Sequence, residues 1–369
     1  MLQNKIYINY LLEILKTFFT IILGLSLIAL TVRSVNFLDL IVDNGYSLST
    51  YFFYSFLNIF GIAPKFFPLA FLISIFIFIL RHNNNNEFVI LWTTGVKKSV
   101  LMNLLMLSSL LIVFFYLIFS TFLTPLALNK SRFVLSQSEF NSFLPTIRAK
   151  QFSDSFKGLT FIVEKKIDNE IEHVFLYDTG NNLNSLSSNI SNSSSTTIIA
   201  EKGIVEDKEL YLINGQIISN KKSSNESDVI QFDELNIDLK MLDTTVIKKP
   251  KLQETSTLKL LSCVFNKNIL DKLCNNETMK EIIPALIRRL ILPAYIPILA
   301  LFASILLLNS KNYFSHTFSI FFYCFSILIF AELILKYTGH SSLIRSIYIL
   351  MPVIILTLIY PFLSIKLSK

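Results

Sequence analysis

The chain has 369 residues, of which 52% are hydrophobic and 16% are charged, and its mean hydropathy is +0.56. The charged share lies below the figure of about 25% that is usual for soluble domains, so the composition excludes an ordinary soluble protein. The net charge of +7 is interpreted by its position along the chain and not as a signal for nucleic-acid binding.

Long apolar runs without charged residues predict six membrane-spanning helices. A helix of about 20 residues crosses a bilayer core of about 30 Å, and the two shorter runs reach this length with flanking residues. Three spans precede one long polar block, residues 131–287, and three follow it, so we expect the block on the side opposite to both termini. The runs are 17–32, 66–80, 99–129, 290–310, 317–331 and 346–365.

Basic residues in the short connections predict the orientation. With the N-terminus in the cytoplasm, the inner segments contain eight lysines and arginines and the short outer segments contain four, as the positive-inside rule expects. The polar block is therefore predicted to lie outside the cytoplasm. The inner residues are Lys5, Lys16, Arg81, Lys97, Lys98, Lys311, Lys366 and Lys369, and the outer ones are Arg33, Lys65, Lys336 and Arg345.

Past the first span, Asp39 and Asp43 indicate that the chain emerges into water. The aromatic stretch 48–60 is predicted to lie along the outer membrane interface. Pro64 is predicted to open the second span as a first-turn residue, where its missing N–H has no cost.

The coupling segment, defined here as residues 81–98, connects the second and third spans. Asn86 suits an N-cap and Glu87 a first helical turn. Four further residues follow at positions i, i+3, i+4 and i+7 and predict one apolar helix face. This face either folds back onto the membrane helices or docks into a cytoplasmic partner. The four are Phe88, Leu91, Trp92 (the only tryptophan) and Gly95.

The polar block changes to a β pattern. Residues 159–164 and 174–178 are short β-type runs, and 210–213 with 216–218 flank Asn214-Gly215, which predicts a hairpin with a type I′ turn. Residues 232–239 continue the pattern, 181–195 predict a polar loop, and 255–287 read as helical or mixed. An antiparallel sandwich, barrel or jelly roll fits these short strands.

No catalytic pattern is found in the sequence. It contains no Gly-rich phosphate loop, no His/Cys/Asp/Glu cluster with metal spacing and no nucleophile motif, so any nucleotide hydrolysis must come from a partner, and no cofactor is expected. Cys263 and Cys274 lie in the polar block and can pair outside the cytoplasm, although their spacing does not require it.

The layout and the coupling segment together resemble the LptF/LptG permeases of the bacterial lipopolysaccharide exporter. The shared features are a β domain between two groups of three spans and a Glu eight residues before a Gly, here Glu87 and Gly95. LptF is the closer match, through residues 37–48, 159–163, 199–203 and 232–239. One departure is Ala285, which stands where the family motif Ala-Glu-Leu-x-Arg-Arg has its Glu; Arg288 and Arg289 match the motif.

The resemblance implies an ATP-driven extractor of lipopolysaccharide in the bacterial inner membrane. This chain would pair with an LptG-like permease and two LptB-like ATPases, and it would deliver lipid to an LptC/LptA-like periplasmic bridge. Its implied domains are membrane helices over 1–130 with a coupling helix at 86–96, a periplasmic β-jelly roll over 131–255, a connecting segment over 256–288, and membrane helices over 289–369.

Candidate site residues fall into three groups. Glu87, Phe88, Leu91, Trp92 and Gly95 would contact the ATPase. The outer cations Arg33, Lys65, Lys336 and Arg345 would pair with lipid phosphates, or would reach ordinary headgroups. Phe161, Val163, Leu176, Leu212 and Ile237 would line the lipid path, or would form a packed core.

The intramembrane acid Glu332 lies four residues before Lys336 on one helix face, which predicts an intrahelical pair in preference to a gating role. Two other functions remain open at this stage. One is a membrane-anchored envelope scaffold or binding protein. The other is a permease of a different lipid or lipoprotein extractor.

Overall fold

The structure is a computed structural model that describes residues 2–38, 41, 47–139, 149–156, 158–167, 169–179, 193–206, 209–221, 227–238, 251–265, 274, 276–308 and 313–368. The chain divides into two compact units. One comprises Met1–Val32, Leu57–Asn129 and Pro250–Lys369, and the other comprises Arg33–Phe56 and Lys130–Lys249. The positions expected at Asp39, Asp43, Lys311 and Lys369 lie outside the described residues, as do residues 181–192 of the predicted polar loop.

The first unit is helical. The described α-helices are α1 (Leu2–Asn36), α2 (Leu48–Asn84), α3 (Glu87–Thr93), α4 (Lys98–Ile118), α5 (Thr124–Glu139), α6 (Thr257–Phe265), α7 (Asn276–Leu290), α8 (Ile296–Ser304), α9 (Tyr313–Tyr337) and α10 (Ser342–Ser368). A π-helical turn, Phe119–Leu123, joins α4 to α5, and 3₁₀ turns at Leu292–Tyr295 and Ile305–Leu307 flank α8.

Five helical stretches of the described chain are long and apolar enough to cross a membrane, and the bent pair Thr278–Leu290 and Leu292–Leu307 makes a sixth if its two parts form one span. The bend of this pair is 45°. Five of the predicted apolar runs lie within single helical stretches, and the described part of the run at 290–310 is the one that the bend interrupts. The five are Lys5–Asn36, Leu48–Asn84, Lys98–Leu135, Ser315–Tyr337 and Ser342–Ser368.

The prediction for Pro64 was wrong. Helix α2 is continuous from Leu48 to Asn84, so both Pro64 and Pro68 lie inside it instead of opening a separate span. A proline inside a helix removes one backbone bond and leaves the carbonyl four residues earlier without its partner. In a membrane helix, hydroxyl groups of neighbouring helices commonly satisfy such carbonyls.

At Pro64 and at Pro352 of α10, a hydroxyl from another helix donates to the carbonyl that the proline frees. Pro64 frees the Phe60 carbonyl, and the Thr124 hydroxyl donates to it at 2.7 Å. Pro352 in α10 frees the Tyr348 carbonyl, which accepts from the Tyr295 hydroxyl at 3.1 Å. At the break after α7, the Tyr116 hydroxyl donates to the Arg288 carbonyl at 2.9 Å. Hydrogen bonds thus link helices where a backbone ladder is interrupted.

The second unit contains an antiparallel sheet with strands in chain order, so each strand pairs with its neighbours in sequence. The strands are β1 (Ser153–Phe156), β2 (Leu159–Ile167), β3 (Glu170–Asp178), β4 (Ser193–Glu206), β5 (Glu209–Lys221) and β6 (Ser227–Asp238). Among them there is no crossover of the kind that defines a jelly roll, and that finer prediction stays a prediction. Residues 193–195, predicted as loop, begin β4.

The predicted hairpin at Asn214-Gly215 was wrong, because β5 runs straight through both residues. Asn214 takes a left-handed φ of 51°, which Asn tolerates, and His173 does the same in β3. The regular register skips His173 and Asn214. At Gly215 a Cβ would overlap with the Ile199 carbonyl and the Phe232 ring. The Asn-Gly pair therefore permits a local irregularity inside a strand rather than a chain reversal.

A small cluster of buried residues, separate from the larger apolar cores of the helices and of the sheet, packs α6 against α7 through Leu260, Ile282 and Leu286. A disulfide bond between Cys263 and Cys274 belongs to this cluster and spans 11 residues of sequence. The structure thus makes the cysteine pairing that the sequence left open.

We predict that Thr124→Val lowers the thermal unfolding midpoint of the detergent-purified chain, because it removes the hydroxyl that donates to the Phe60 carbonyl, at a cost of about 1–3 kcal/mol. In a Pro64→Ala background the restored N–H satisfies that carbonyl, and the loss should shrink. Thr357→Val is the control, since the exposed Thr357 hydroxyl bonds only within its own helix. An equal loss in both backgrounds would contradict the assignment.

Candidate functional site

The coupling segment folds as a seven-residue helix, α3, held between two left-handed residues. Asn86 precedes it with φ 58° and makes no side-chain capping bond, so the expected side-chain cap is absent at this residue. Gly95 follows with φ 88°. The amides of Gly95 and Val96 donate to the carbonyls of Trp92 and Leu91, both at 3.1 Å, which is the Schellman pattern of helix termination. Gly95 therefore ends the helix.

Phe88 lies in the core of the helical unit and not on a docking surface. Its side chain is 1% exposed and stacks on His82 and Trp92, with ring centroids 5.6 and 6.1 Å away. Phe88 is thus removed from the expected set of partner contacts. Leu91 and Trp92 are half-buried against the same core, and the Lys98 ammonium lies 4.4 Å from the centre of the Trp92 ring.

The outward face of α3 is formed by residues that the sequence reasoning missed. Val89 is 47% exposed and Ile90 is 61% exposed. Of the predicted apolar face at i, i+3, i+4 and i+7, Phe88 is buried, Leu91 and Trp92 are half-buried, and Gly95 is exposed. Val89 and Ile90, between the first two of these positions, face solvent. This signal was present in the sequence, because a helix that folds back on one apolar face must turn the other face outward.

Glu87 is paired within the chain. Its carboxylate lies 3.3 Å from His82 Nε2 and accepts from the Asn85 amide at 3.2 Å. The same His82 nitrogen lies 3.3 Å from a carboxylate oxygen of Glu13 in α1, whose other oxygen accepts from Arg81 at 3.2 Å. Side chains from α1, α2 and the coupling segment therefore meet at His82.

A second cluster surrounds a small cavity of about 90 Å³ among the helices, called the basic cavity here. Three of its lining residues are cations, and one is a carboxylate. Lys65 is the only one of the four expected phosphate-contact residues that lines it; Arg33, Lys336 and Arg345 do not. The lining is Gly61, Pro64, Lys65, Tyr116, Ser120, Thr124, Gln253, Ala285, Arg288, Arg289, Leu292 and Glu332.

The two arginines of the basic cavity have different surroundings. Arg289 is buried, and its guanidinium donates to the carbonyls of Leu252, Gln253 and Thr255 at 2.9–3.2 Å and to the Thr257 hydroxyl at 2.9 Å. Arg288 is 35% exposed and donates to Glu332 at 2.6 Å, while its Nε finds no partner in the described part of the chain. Arg289 thus holds the backbone of residues 252–255 in place, whereas Arg288 has an N–H left that can donate to an anion.

The expected pairing of Glu332 with Lys336 was wrong. The Glu332 carboxylate binds Arg288 of α7, so the ion pair joins two helices instead of two turns of one helix. Ala285, where the family motif has Glu, lines the same cavity as Glu332. Glu332 of α9 therefore supplies a carboxylate to the basic cavity, which residue 285 also lines.

The expected lipid-path residues lie together on one face of the sheet. Phe161 and Leu176 are direct partners across β2 and β3, and Val163 pairs with Val174 in the next inward-facing row. All five expected residues are 3% exposed or less and belong to one apolar cluster, so in this conformation they form a packed core. The set is Phe161, Val163, Leu176, Leu212 and Ile237.

A groove of about 500 Å³ crosses β3 to β6, and its lining includes the backbone next to His173 and Asn214. Glu201 and Asp233 are among the lining residues. Two carboxylates disfavour a phosphorylated lipid by like-charge repulsion. The apolar cluster is therefore the better candidate surface for acyl chains.

Membrane-length helices, an antiparallel sheet and a short helix between the second and third long helices define a multi-pass membrane protein with a β domain. The chain belongs to the family described as lipopolysaccharide export system permease LptF/LptG, which it matches over residues 10–367. The match does not separate LptF from LptG. No curated protein matches the chain in the sequence comparison. The protein is thus a permease of the lipopolysaccharide export system.

We predict that Glu332→Ala destabilises the purified chain by about 1–2 kcal/mol, because it removes the partner of Arg288 from a site that is only partly shielded from water. Adding Ala285→Glu should recover part of the loss, since residue 285 lines the same cavity. The measurement is the thermal aggregation midpoint in detergent.

Lys336→Ala is the matched control for this prediction. It tests the intrahelical pair expected from sequence and should leave the midpoint unchanged. A loss with Lys336→Ala equal to that with Glu332→Ala, or no recovery with Ala285→Glu, would contradict the interhelical assignment.

Proposed function

We propose that this chain is the LptF-type permease of an ATP-driven complex that extracts lipopolysaccharide from the inner membrane and passes it to a periplasmic bridge. Its partners are an LptG-like permease, two LptB-like ATPases and an LptC/LptA-like bridge. The observation that carries this proposal is the coupling segment. A seven-residue helix is packed onto the membrane helices by Phe88 and presents Val89 and Ile90 outward.

The α3 surface suits a groove in a soluble ATPase. An isolated seven-residue helix is unstable in water, so α3 owes its position to Phe88 and to the bonds around Gly95. It is therefore a preformed element, and preformed elements bind with less loss of conformational entropy. Leu91 and Trp92 contribute their half-exposed edges, while Glu87 remains 42% exposed for a cation of the partner.

The sidedness of the proposal has support from the disulfide bond. Disulfides form and persist in oxidising compartments such as the periplasm. The Cys263–Cys274 bond therefore supports a position of α6 and the start of α7 outside the cytoplasm. With the β domain at 131–255 and the connecting segment at 256–288 on that side, the coupling helix at 86–96 faces the cytoplasm, and the membrane helices fill 1–130 and 289–369.

The lipid would be held by cations and an apolar face. Lys65 and Arg288 at the basic cavity are the pair that we assign to a lipid phosphate, because Arg288 keeps donor capacity beyond its bond to Glu332. Arg33, Lys336 and Arg345 are assigned to further headgroup contacts. The acyl chains would follow the apolar sheet face from Phe161 to Ile237, and this requires the packed core to part.

We predict that Ile90→Asp reduces co-purification of the ATPase at least about ten-fold, because burying Ile contributes about 1.5–3 kcal/mol and a buried charge opposes docking further. Val229→Asp is the matched control, since Val229 is 55% exposed in the sheet and should leave the complex intact. Trp92→Ala should weaken the complex less than Ile90→Asp. Undiminished recovery of the ATPase with Ile90→Asp would refute the docking surface.

We also predict that Cys263 and Cys274 resist alkylation in intact spheroplasts of a Cys324→Ser strain and become reactive after a membrane-impermeant reductant is added. The reason is that an external disulfide is open to such a reductant, whereas a cytoplasmic one is shielded by the membrane. The readout is the gel shift from a maleimide polymer. Labelling that requires permeabilised membranes would contradict the proposed sidedness.

A further inference from the structure

His82 stands at the junction of three helices. It belongs to α2, and its Nε2 lies 3.3 Å from both Glu13 of α1 and Glu87 of α3. The His82 side chain is 4% exposed, whereas the two carboxylates are 25% and 42% exposed. A buried imidazole thus separates two partly solvated acids that would otherwise repel each other.

Both ring nitrogens of His82 contact oxygen atoms. His82 Nδ1 lies 2.9 Å from the Phe78 carbonyl oxygen, and Nε2 faces the two carboxylates. The ring therefore holds the backbone of its own helix on one side and side chains of two other helices on the other.

Aromatic rings enclose these contacts of His82. The rings of Tyr10, Phe78 and Phe88 enclose His82 at centroid distances of 4.8, 4.3 and 5.6 Å. Few water molecules reach such a site, and charges attract more strongly where water is excluded. Phe88 belongs to the coupling helix, so the same ring contacts that bury His82 also seat α3.

Every charged group around the ring is matched. Arg81 donates to the Glu13 oxygen that does not face His82. Asn85 donates to the corresponding oxygen of Glu87. Each carboxylate is thus contacted at both oxygens, one by His82 and the other by Arg81 or Asn85.

We propose that His82 is a positioning residue that ties the coupling helix to the first helix through Glu87 and Glu13, so that a displacement of α3 moves α1. The proposal rests on the proposed function, in which α3 receives force from the ATPase. Without the His82 ring between them, the like charges of Glu13 and Glu87 repel each other. α3 would then remain a docking site but would transmit less of its motion to α1.

The test uses the assembled complex in proteoliposomes that contain lipopolysaccharide. Spin labels at the exposed positions Leu12 of α1 and Thr93 of α3 report the distance between the helices with and without nucleotide. His82→Gln should keep the ATPase bound, broaden the distance distribution, and lower the lipid released per ATP hydrolysed about five-fold or more. Arg81→Gln, which removes only the exposed partner, should change neither the distance nor the ratio.

Glu13→Gln covers the case in which His82→Gln reduces the amount of folded chain, since it keeps the shape of a partly exposed side chain. If both residues act through one bridge, the double variant loses no more than the larger single loss. Unchanged distances and ratios in His82→Gln or Glu13→Gln, or additive losses in the double variant, would overturn the proposal. If the wild-type chain does not co-purify with an ATPase, the proposed function is overturned instead. The spin-label distances measured in the chain alone then still test the contact of His82 with Glu13 and Glu87.

Discussion

The hydrogen bonds of interrupted membrane helices constrain the rest of this structure. In lipid no water is available to satisfy a free carbonyl, so each proline within a helix requires a donor elsewhere. Thr124 and Tyr295 meet the carbonyls freed by Pro64 and Pro352. Because each donor lies on a different helix from the proline, the same bonds fix which helices are neighbours and in what register.

The basic cavity is a consequence of that constraint. The helical run at 276–307 breaks at Ile291, and the break frees the Arg288 carbonyl for the Tyr116 hydroxyl. Polar side chains collect near the break because they donate to free backbone carbonyls. Arg289 makes four hydrogen bonds to residues 252–257 in this way, three of them to carbonyls. A cation whose donors are not all used, such as Arg288, is stable in the same polar surroundings. The polar side chains that satisfy the interrupted backbone thus already provide most of the surroundings that an anion-binding site requires.

The sequence predicted those parts of the fold that depend on averages over many residues. Apolar runs located the membrane-length helices, and β-type runs located β2, β3 and β6. Features that depend on a partner elsewhere in the chain were missed. Asn214-Gly215 has the chemistry of a turn, but the pairing of β5 with β4 and β6 on both sides of Asn214 outweighs that preference. Pro64 favours a helix start only when no neighbour satisfies Phe60, and sequence alone does not identify Thr124 as that neighbour.

The coupling segment shows why two interpretations of one apolar pattern need not exclude each other. Folding back onto the bundle and docking to a partner exclude each other only if the same face of the helix makes both contacts. The structure assigns Phe88 to the bundle and leaves Ile90 exposed. A helix too short to be stable alone transmits force only if its attachment is stiffer than its contact with the partner. Phe88 and the pairing through His82 attach this helix to the bundle, so under the proposed function the buried face is as necessary to coupling as the exposed one.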